Sequence, residues 1–490
     1  MMKKITSRVF TIVIVVLFVG MCTVQSRYGG SVGMIYVDDD NVDGPWDGSL
    51  EHPFQYLQDG INVANDGDSV YVFSGVYYEH VVVDKTITLQ GEDANCTVID
   101  GGGSGDVVYV SADSVSICGF TIQNSGPDLL GGYDAGIDLR SDGNTITGNF
   151  IIDNTYGILT YVYLSSCNSI SESEFAGNSY GIYLWFSSEN IISRNILTDC
   201  GVGIRLDTSC SNNCIEKNMM VNTDGGVFLS CSSNYNIIIN NQIVGPSSSG
   251  VYLEGTEGSC ICNYIAGNYI NNSIRGIELS DSYDNIIIEN TVTNNSYIGV
   301  SLVDSHNNII FRNIIYTNLY VAIFLGYSSV NTILKNIVKY NNYGLWAAYS
   351  SNNNMIYYNN FIDNEQNAYD ECTNTWYNEA LRQGNYWSDF DEPDEGAYDN
   401  NLDGIVDDPY NIPGGNNQDM YPLVNPLIPI IGDVDDDGDV DQSDLGILLA
   451  AWDTGPSDPN WNFWADLNCD AHISQSDLGI LLSHYNRRRI

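Results

Sequence analysis

The sequence predicts a mainly-β chain wound into a long right-handed parallel β-helix, followed by a small α-helical module. Three observations predict it. A unit of roughly 23 residues recurs through the middle of the chain, with alternating apolar residues after a glycine. Asparagines recur at two fixed places in each unit. Near the C-terminus an acidic loop occurs twice, each time running into Gln-Ser-Asp-Leu-Gly-Ile-Leu-Leu, at 442–449 and 475–482.

The repeat fixes the architecture. Gly-apolar-x-apolar starts at Gly136, Gly157, Gly181, Gly203, Gly226, Gly250, Gly276, Gly299 and Gly344, with Ala322 standing in once. A Ser/Asn-rich turn follows, then Asn-x-Ile-x-x-Asn, led by Asn144, Asn168, Asn190, Asn213, Asn236, Asn263, Asn285, Asn308, Asn331 and Asn354. Five residues on stand Asn149, Ser173, Asn195, Asn218, Asn241, Asn268, Asn290, Asn313, Asn336 and Asn359. Pairs such as Ile182/Leu184 and Ile277/Leu279 point the same way on a strand, so they bury together. One coil cannot bury its own core, but stacked coils share one. Stacking sets equivalent residues about 4.8 Å apart, where asparagine amides can form ladders. Asparagine also tolerates the left-handed backbone that corners between sheets require.

The flanks follow from the same logic. Residues 35–67 read as an N-terminal strand and a helix over Pro53–Ala64 that caps the core, 68–380 as the β-helix, and 381–421 as its C-terminal cap. Residues 422–431, with Pro422, Pro426 and Pro429, read as a short stiff linker before a module at 432–486. At the N-terminus Lys3, Lys4 and Arg8 precede an apolar run from Val9 to Val19, with small residues near Val24-Gln25-Ser26. Residues 1–26 thus have the layout of a secretory signal peptide, and the expectation is a secreted protein, extracellular or at a cell surface, with no membrane insertion after cleavage.

Charge narrows the partners. With 62 acidic against 17 basic side chains, the formal charge of −45 repels nucleic acid and anionic lipid and suits calcium or a high-salt habitat. Of 12 cysteines none forms a CxxC pair; most are expected as small core residues, with room for a disulfide or two whose pairing the sequence leaves open.

The acidic loops carry the most specific signal. Asp433, Asp435, Asp437 and Asp444 fall at positions 1, 3, 5 and 12 of an EF-hand-type calcium loop, with Gly438 at 6 and Asp439 at 7. The second loop places Asp466, Asn468, Asp470, His472 and Asp477 likewise, with Ala471 where the first has Gly438. That position favours a left-handed backbone, so the second loop is expected to fill at higher calcium. A weaker signature, Asp399, Asn401, Asp403 and Asp407, has similar spacing without a following helix and reads either as a further calcium loop or as a plain acidic turn.

Two resemblances stand on these residues. Residues 35–426 resemble the NosD-type and related carbohydrate-binding/sugar-hydrolase β-helices, through Ile35-Tyr36-Val37-Asp38-Asp39, Gly67–Val72, the Asn-x-Ile-x-x-Asn coils and Gly384-Asn385-Tyr386-Trp387-Ser388-Asp389. The name-giving family serves copper insertion; five histidines and no His/Met/Cys cluster make that role unexpected here. Residues 432–486 resemble a type I dockerin, which implies a calcium-dependent, cohesin-bearing partner. In such modules loop positions 10 and 11 face the partner, here Gln442-Ser443 and Gln475-Ser476.

For function three readings stay open: a polysaccharide-active enzyme (glycoside hydrolase or lyase), a polysaccharide-binding protein, or a structural or adhesive spacer. The strand position between the two buried apolars of each coil is expected to face outward. Its aromatics Tyr183, Phe228, Tyr252, Phe324 and Trp346 could stack on sugar rings, and Asp138, Arg205, Asp207 and Glu278 are the candidate catalytic groups.

Overall fold

The computed structural model describes residues 33–127, 132–161, 165–427, 430–435, 439–456 and 458–488. The proposed leader, Pro429, Asp437 and Gly438 lie outside the described residues.

Each coil contributes one short strand to each of three parallel sheets. The first sheet has 14 strands, from Met34–Val37 to Met355–Tyr357; the second has 14, from Gly75–Tyr77 to Tyr386–Trp387; the third has 13, from Val81–Val83 to Gln366–Asp370. Successive coils stack without slippage, as in Ile265↔Ile287 and Ile287↔Ile310. A strand three residues long with one inward side chain needs only its central residue to be apolar, and Ile265, Ile287 and Ile310 are fully buried. The rod therefore starts at Met34, earlier than residue 68, and ends with Trp387, beyond 380. The opening strand already pairs with Ser69–Val72, and the cap helix is an insertion between the two.

That helix, α1 (Leu57–Val63), is shorter than the expected 53–64 because Phe54 pairs with Val37 as extended chain. Leu57 and Ile61 close the open end of the core. The coil below holds both helix ends. The Glu79 carboxylate accepts from the Leu57 and Gln58 amides at 2.7 and 2.9 Å, and Lys85 Nζ donates to the Ile61, Asn62 and Ala64 carbonyls at 2.6–3.1 Å.

The expected ladders form at two corners. From Asn168 to Asn374 each amide donates to the Oδ1 one coil on at 2.9–3.2 Å, and a second ladder runs from Asn195 to Asn385 at 2.9–3.1 Å. A third, at the corner between the second and third sheets, joins Asn295, Asn318, Asn341 and Asn364. One expectation is corrected. From Asn168 to Asn364 the left-handed residue is the one before each ladder asparagine, for example Glu289 (φ 52°), Arg312 (φ 53°) and Val330 (φ 62°). The asparagine needs its own amide and backbone N–H aligned with the stack, so its predecessor takes up the turn.

The C-terminal end is closed by Trp376 and Trp387, both fully buried, with Tyr410 stacked on Trp387 at 4.2 Å. Asp419, also buried, accepts from Asn385 N (2.7 Å), Trp387 Nε1 (3.0 Å) and Tyr421 N (3.0 Å). The segment expected as a linker is tied to this end over its first half: Leu423 N donates to Asn385 O, and Leu427 exchanges two 2.8 Å bonds with the Asn360 side chain. Beyond it, α2 (Gln442–Ala450) and α3 (Gln475–His484) pack over Val440, Leu448, Ile473 and Leu481. Among the described residues no disulfide joins any two cysteines, and no helix is long and apolar enough to cross a membrane.

Candidate functional site

Register brings the predicted strip together. Asp138, Tyr183, Arg205, Phe228, Tyr252, Glu278, Ser301, Phe324 and Trp346 form one file along the third sheet, with Tyr109 before them, Leu159 between Asp138 and Tyr183, and Tyr369 after. At one strand spacing per step the file runs about 50 Å.

The file is not uniformly open. Asp138, Tyr183 and Ser301 are buried, which corrects the expectation that each position faces solvent. Side chains from the strand starts lean over them. Tyr183 lies stacked against Tyr156 and Tyr180 at 5.5 and 5.3 Å, and the Arg205 guanidinium sits 5.6 Å from its ring centre. Phe228, Tyr252, Phe324 and Trp346 are half-buried, Trp346 packing edge-on to Phe324, Tyr320 and Tyr369. Among the described residues the buried indole N–H groups of Trp185 and Trp346 have no hydrogen-bond acceptor. The strip therefore offers aromatic edges and faces, with Phe228 and Tyr252 packed edge-on at 5.3 Å between the cluster around Tyr183 and the one around Trp346.

The charged candidates are internally satisfied. Arg205 pairs with Asp207 at 2.9 Å, and the Tyr183 hydroxyl donates to the same carboxylate at 2.9 Å. Burial opposes ionisation of Asp207, but Arg205 and these donors hold its carboxyl below the ordinary range. Glu278 accepts from Ser249 Oγ at 2.6 Å and lies 3.5 Å from Arg275. Asp138 pairs with Arg140 at 2.6 Å.

Asp138 has a further neighbour that sequence reasoning missed, Asp106. Burial, and then the charge of Asp138, push the Asp106 carboxyl up to about 7, while burial also raises Asp138. Asp106 precedes its strand in an irregular turn outside the coil repeat, so no periodicity marks it. Two carboxyls sharing one site beside an arginine and next to stacked tyrosines form the one place on the strip where a proton is held near neutrality.

The C-terminal loops form a second candidate site. In the first, ligand oxygens of Asp433, Asp435 and Asp444 lie within 4.8 Å of one another. Asp444 also caps the start of α2, its carboxylate accepting from Val434 N and Asp441 N. The second loop repeats this frame: Asp477 accepts from Leu467 N and Ser474 N, Asp466 from Asp470 N and Ala471 N, and Asn468 from Asp470 N. Hard oxygen donors at these loop positions fit calcium. Asp439 Oδ2 lies 3.5 Å from Arg488 and His472 Nε2 3.1 Å from Asp453. Burial, then Asp477 and Asp470, push the Asp466 carboxyl up to about 7. Ala471 is left-handed, as expected, at φ 64°. Gln442, Ser443, Gln475 and Ser476 are all exposed.

The loop at 399–407 repeats part of this frame, Asp399 accepting from Asp403 N and Gly404 N and Asn401 from Asp403 N, while the Asp407 side chain turns to Asn400. Among the described residues Asp433, Asp435 and Asp444 are the only trio of His, Cys, Asp or Glu ligand atoms that converge.

Fold and sites together define a parallel β-helix protein with an appended acidic-loop module. Residues 104–270 and 247–392 match the family model described as periplasmic copper-binding protein (NosD); the match spans more than half of the chain, which belongs to that family. Within the matched span no trio of His, Cys, Asp or Glu ligand atoms converges among the described residues, and the trio that does, Asp433, Asp435 and Asp444, lies outside it and is all carboxylate, a donor set that suits calcium rather than copper. Similar solved structures include the periplasmic alginate epimerase AlgG (15% identity, 65% of this chain and 82% of that one, TM-score 0.42). Others are the A-module of Azotobacter vinelandii mannuronan C-5 epimerase AlgE4 (15%, 70% and 98%, 0.40) and the catalytic domain of a GH87 alpha-1,3-glucanase with tetrasaccharides (12%, 67% and 67%, 0.47). No curated protein matches the chain.

Proposed function

We propose that this is a secreted polysaccharide-binding β-helix protein, held in an extracellular assembly by a calcium-dependent, dockerin-like module that binds a cohesin. The observation that carries the docking half is the duplicated loop-helix unit. Asp433, Asp435 and Asp444 converge on one point, and the two Gln-Ser pairs stand exposed at equivalent helix starts. Calcium supplies the charge that lets these carboxylates stay close; the chain's own residues then hold each loop on its helix through Asp444 and Asp477. The polysaccharide half rests on the aromatic file, whose repeat along the rod suits a linear polymer. A polysaccharide panel on the purified protein tests it. Tyr252→Ala with Trp346→Ala should abolish retention on the polymer that binds, with the fold intact; unchanged retention favours the structural-spacer reading.

A second reading, catalysis, is favoured by the Asp106–Asp138 pair. Asp106, kept protonated by burial and by Asp138, would serve as the proton donor. New reducing ends or unsaturated products from the same panel, lost in Asp106→Asn, are its signature.

A further inference from the structure

The outward face of the first sheet changes character along the rod. In the coils at 145–147 and 169–171 the outward residues are Thr145, Thr147, Ser169 and Ser171; further on they are Ile237 and Ile239, Ile286 and Ile288, Ile309 and Phe311. A strand that buries only its central residue has no need of apolar neighbours unless something covers them. What covers them is the C-terminal module. Trp461 packs edge-on to Tyr264 at 5.0 Å, Trp464 meets Phe311 at 4.4 Å, and Lys335 Nζ sits 5.3 Å over the Trp464 ring.

The contact reaches the second acidic loop itself. Tyr264, 1% exposed, donates its hydroxyl to Asp466 Oδ2 at 3.1 Å. That oxygen also accepts from Ala471 N, leaving Oδ1 toward the loop. Cys469 and Ala471, both left-handed and both buried, press on Ile239, Ala266 and Ile288. The first loop has Asp436 and Gly438 at these places. A thiol and a methyl in the second loop, where the first has a carboxylate and a glycine, are thus contact residues for the rod.

We propose that the first sheet is a built-in seat for the C-terminal module, and that seating is coupled to cation binding by the second loop, Tyr264 acting as the positioning residue for Asp466. This rests on the calcium reading of the loops. The coupling is reciprocal: the seat orients Asp466 for the ion, and the ion stiffens the loop that fits the seat. Seated in this way, the module keeps Gln442-Ser443 and Gln475-Ser476 exposed, so the rod is presented to a partner in one orientation.

The test uses the full chain, with calcium as the probe. Tyr264→Phe keeps the ring and removes only the hydroxyl. Ile288→Glu breaks the seat, and a glutamate is tolerated by the coil at that place because Glu216 occupies the same file two coils before Ala266. Calorimetry of the parent protein should give two calcium events. Each variant should weaken one of them about tenfold or more and leave the other alone. Tryptophan emission reports seating through Trp461 and Trp464: chelation should shift the parent to the red, and Ile288→Glu should be shifted even with calcium. Two unchanged affinities in an Ile288→Glu protein whose emission shows release overturn the coupling while leaving the calcium reading standing. No calcium event in the parent overturns both.

Discussion

Removing one rung of the asparagine ladder gives the sharpest test of what holds the rod. Asn285 is fully buried and its side chain makes four hydrogen bonds. Its amide donates to Asn308 Oδ1 (3.1 Å) and Cys260 O (3.0 Å), and its Oδ1 accepts from Asn263 N (2.9 Å) and Asn263 Nδ2 (3.1 Å). In Asn285→Leu, Asn263 Nδ2 keeps Ser233 O and Cys260 O keeps Tyr283 N, but the Asn263 backbone N–H is left buried with no acceptor. An orphaned buried donor costs about 1–3 kcal/mol and each lost bond about 0.5–1.5 kcal/mol, so the substitution should destabilise by about 3 kcal/mol. Guanidinium denaturation of the parent, Asn285→Leu and the exposed control Ser296→Ala measures it; the control should stay within about 0.5 kcal/mol of the parent. A loss below about 0.5 kcal/mol in Asn285→Leu would refute the ladder as a source of stability.

The other predictions address the ends and the strip. Asp419→Ala strands the buried donors of Asn385, Trp387 and Tyr421 and should cost about 3 kcal/mol or more by the same denaturation. Asp106, whose carboxyl titrates higher in the folded protein than in the unfolded chain, contributes stability that is full below about pH 4 and is lost as pH rises through about 7. The parent should therefore lose Tm relative to Asp106→Asn between pH 4 and 8; parallel curves would show that Asp106 is not buried beside a charge. Changing Gln442-Ser443 alone to alanines should weaken cohesin binding little, because Gln475-Ser476 offers the same contact after a half-turn.

Much of this was legible in the sequence, because a solenoid writes its geometry as period. The inward isoleucines, two of three ladders and the duplicated loops all recur at fixed spacing. The third ladder escaped because its asparagines are interrupted: Asn154 and Asn178 stand at the corner first, then Cys200, Thr223 and Ser273 break the run before Asn295. The burial of Asp138 and Tyr183 depends on side chains leaning in from strand starts, which alternation alone does not encode. Asp106 is delivered by register from an irregular turn. The seat on the first sheet did leave a signal, Ile237-Ile238-Ile239 and Ile286-Ile287-Ile288, where alternation calls for a polar residue on each side of one isoleucine. Ala471 read as a defect of the second loop; against the rod its methyl is a contact, which offsets part of the left-handed strain.

The central claim, that the C-terminal module joins this rod to a partner through calcium, is tested most directly by immobilising the full chain and passing a panel of cohesin modules over it, with calcium and with excess chelator. The account predicts that a cohesin binds in calcium, dissociates when calcium is stripped, and is lost when Gln442, Ser443, Gln475 and Ser476 are all changed to alanine. Binding that survives the chelator, or that survives the fourfold change, would contradict it.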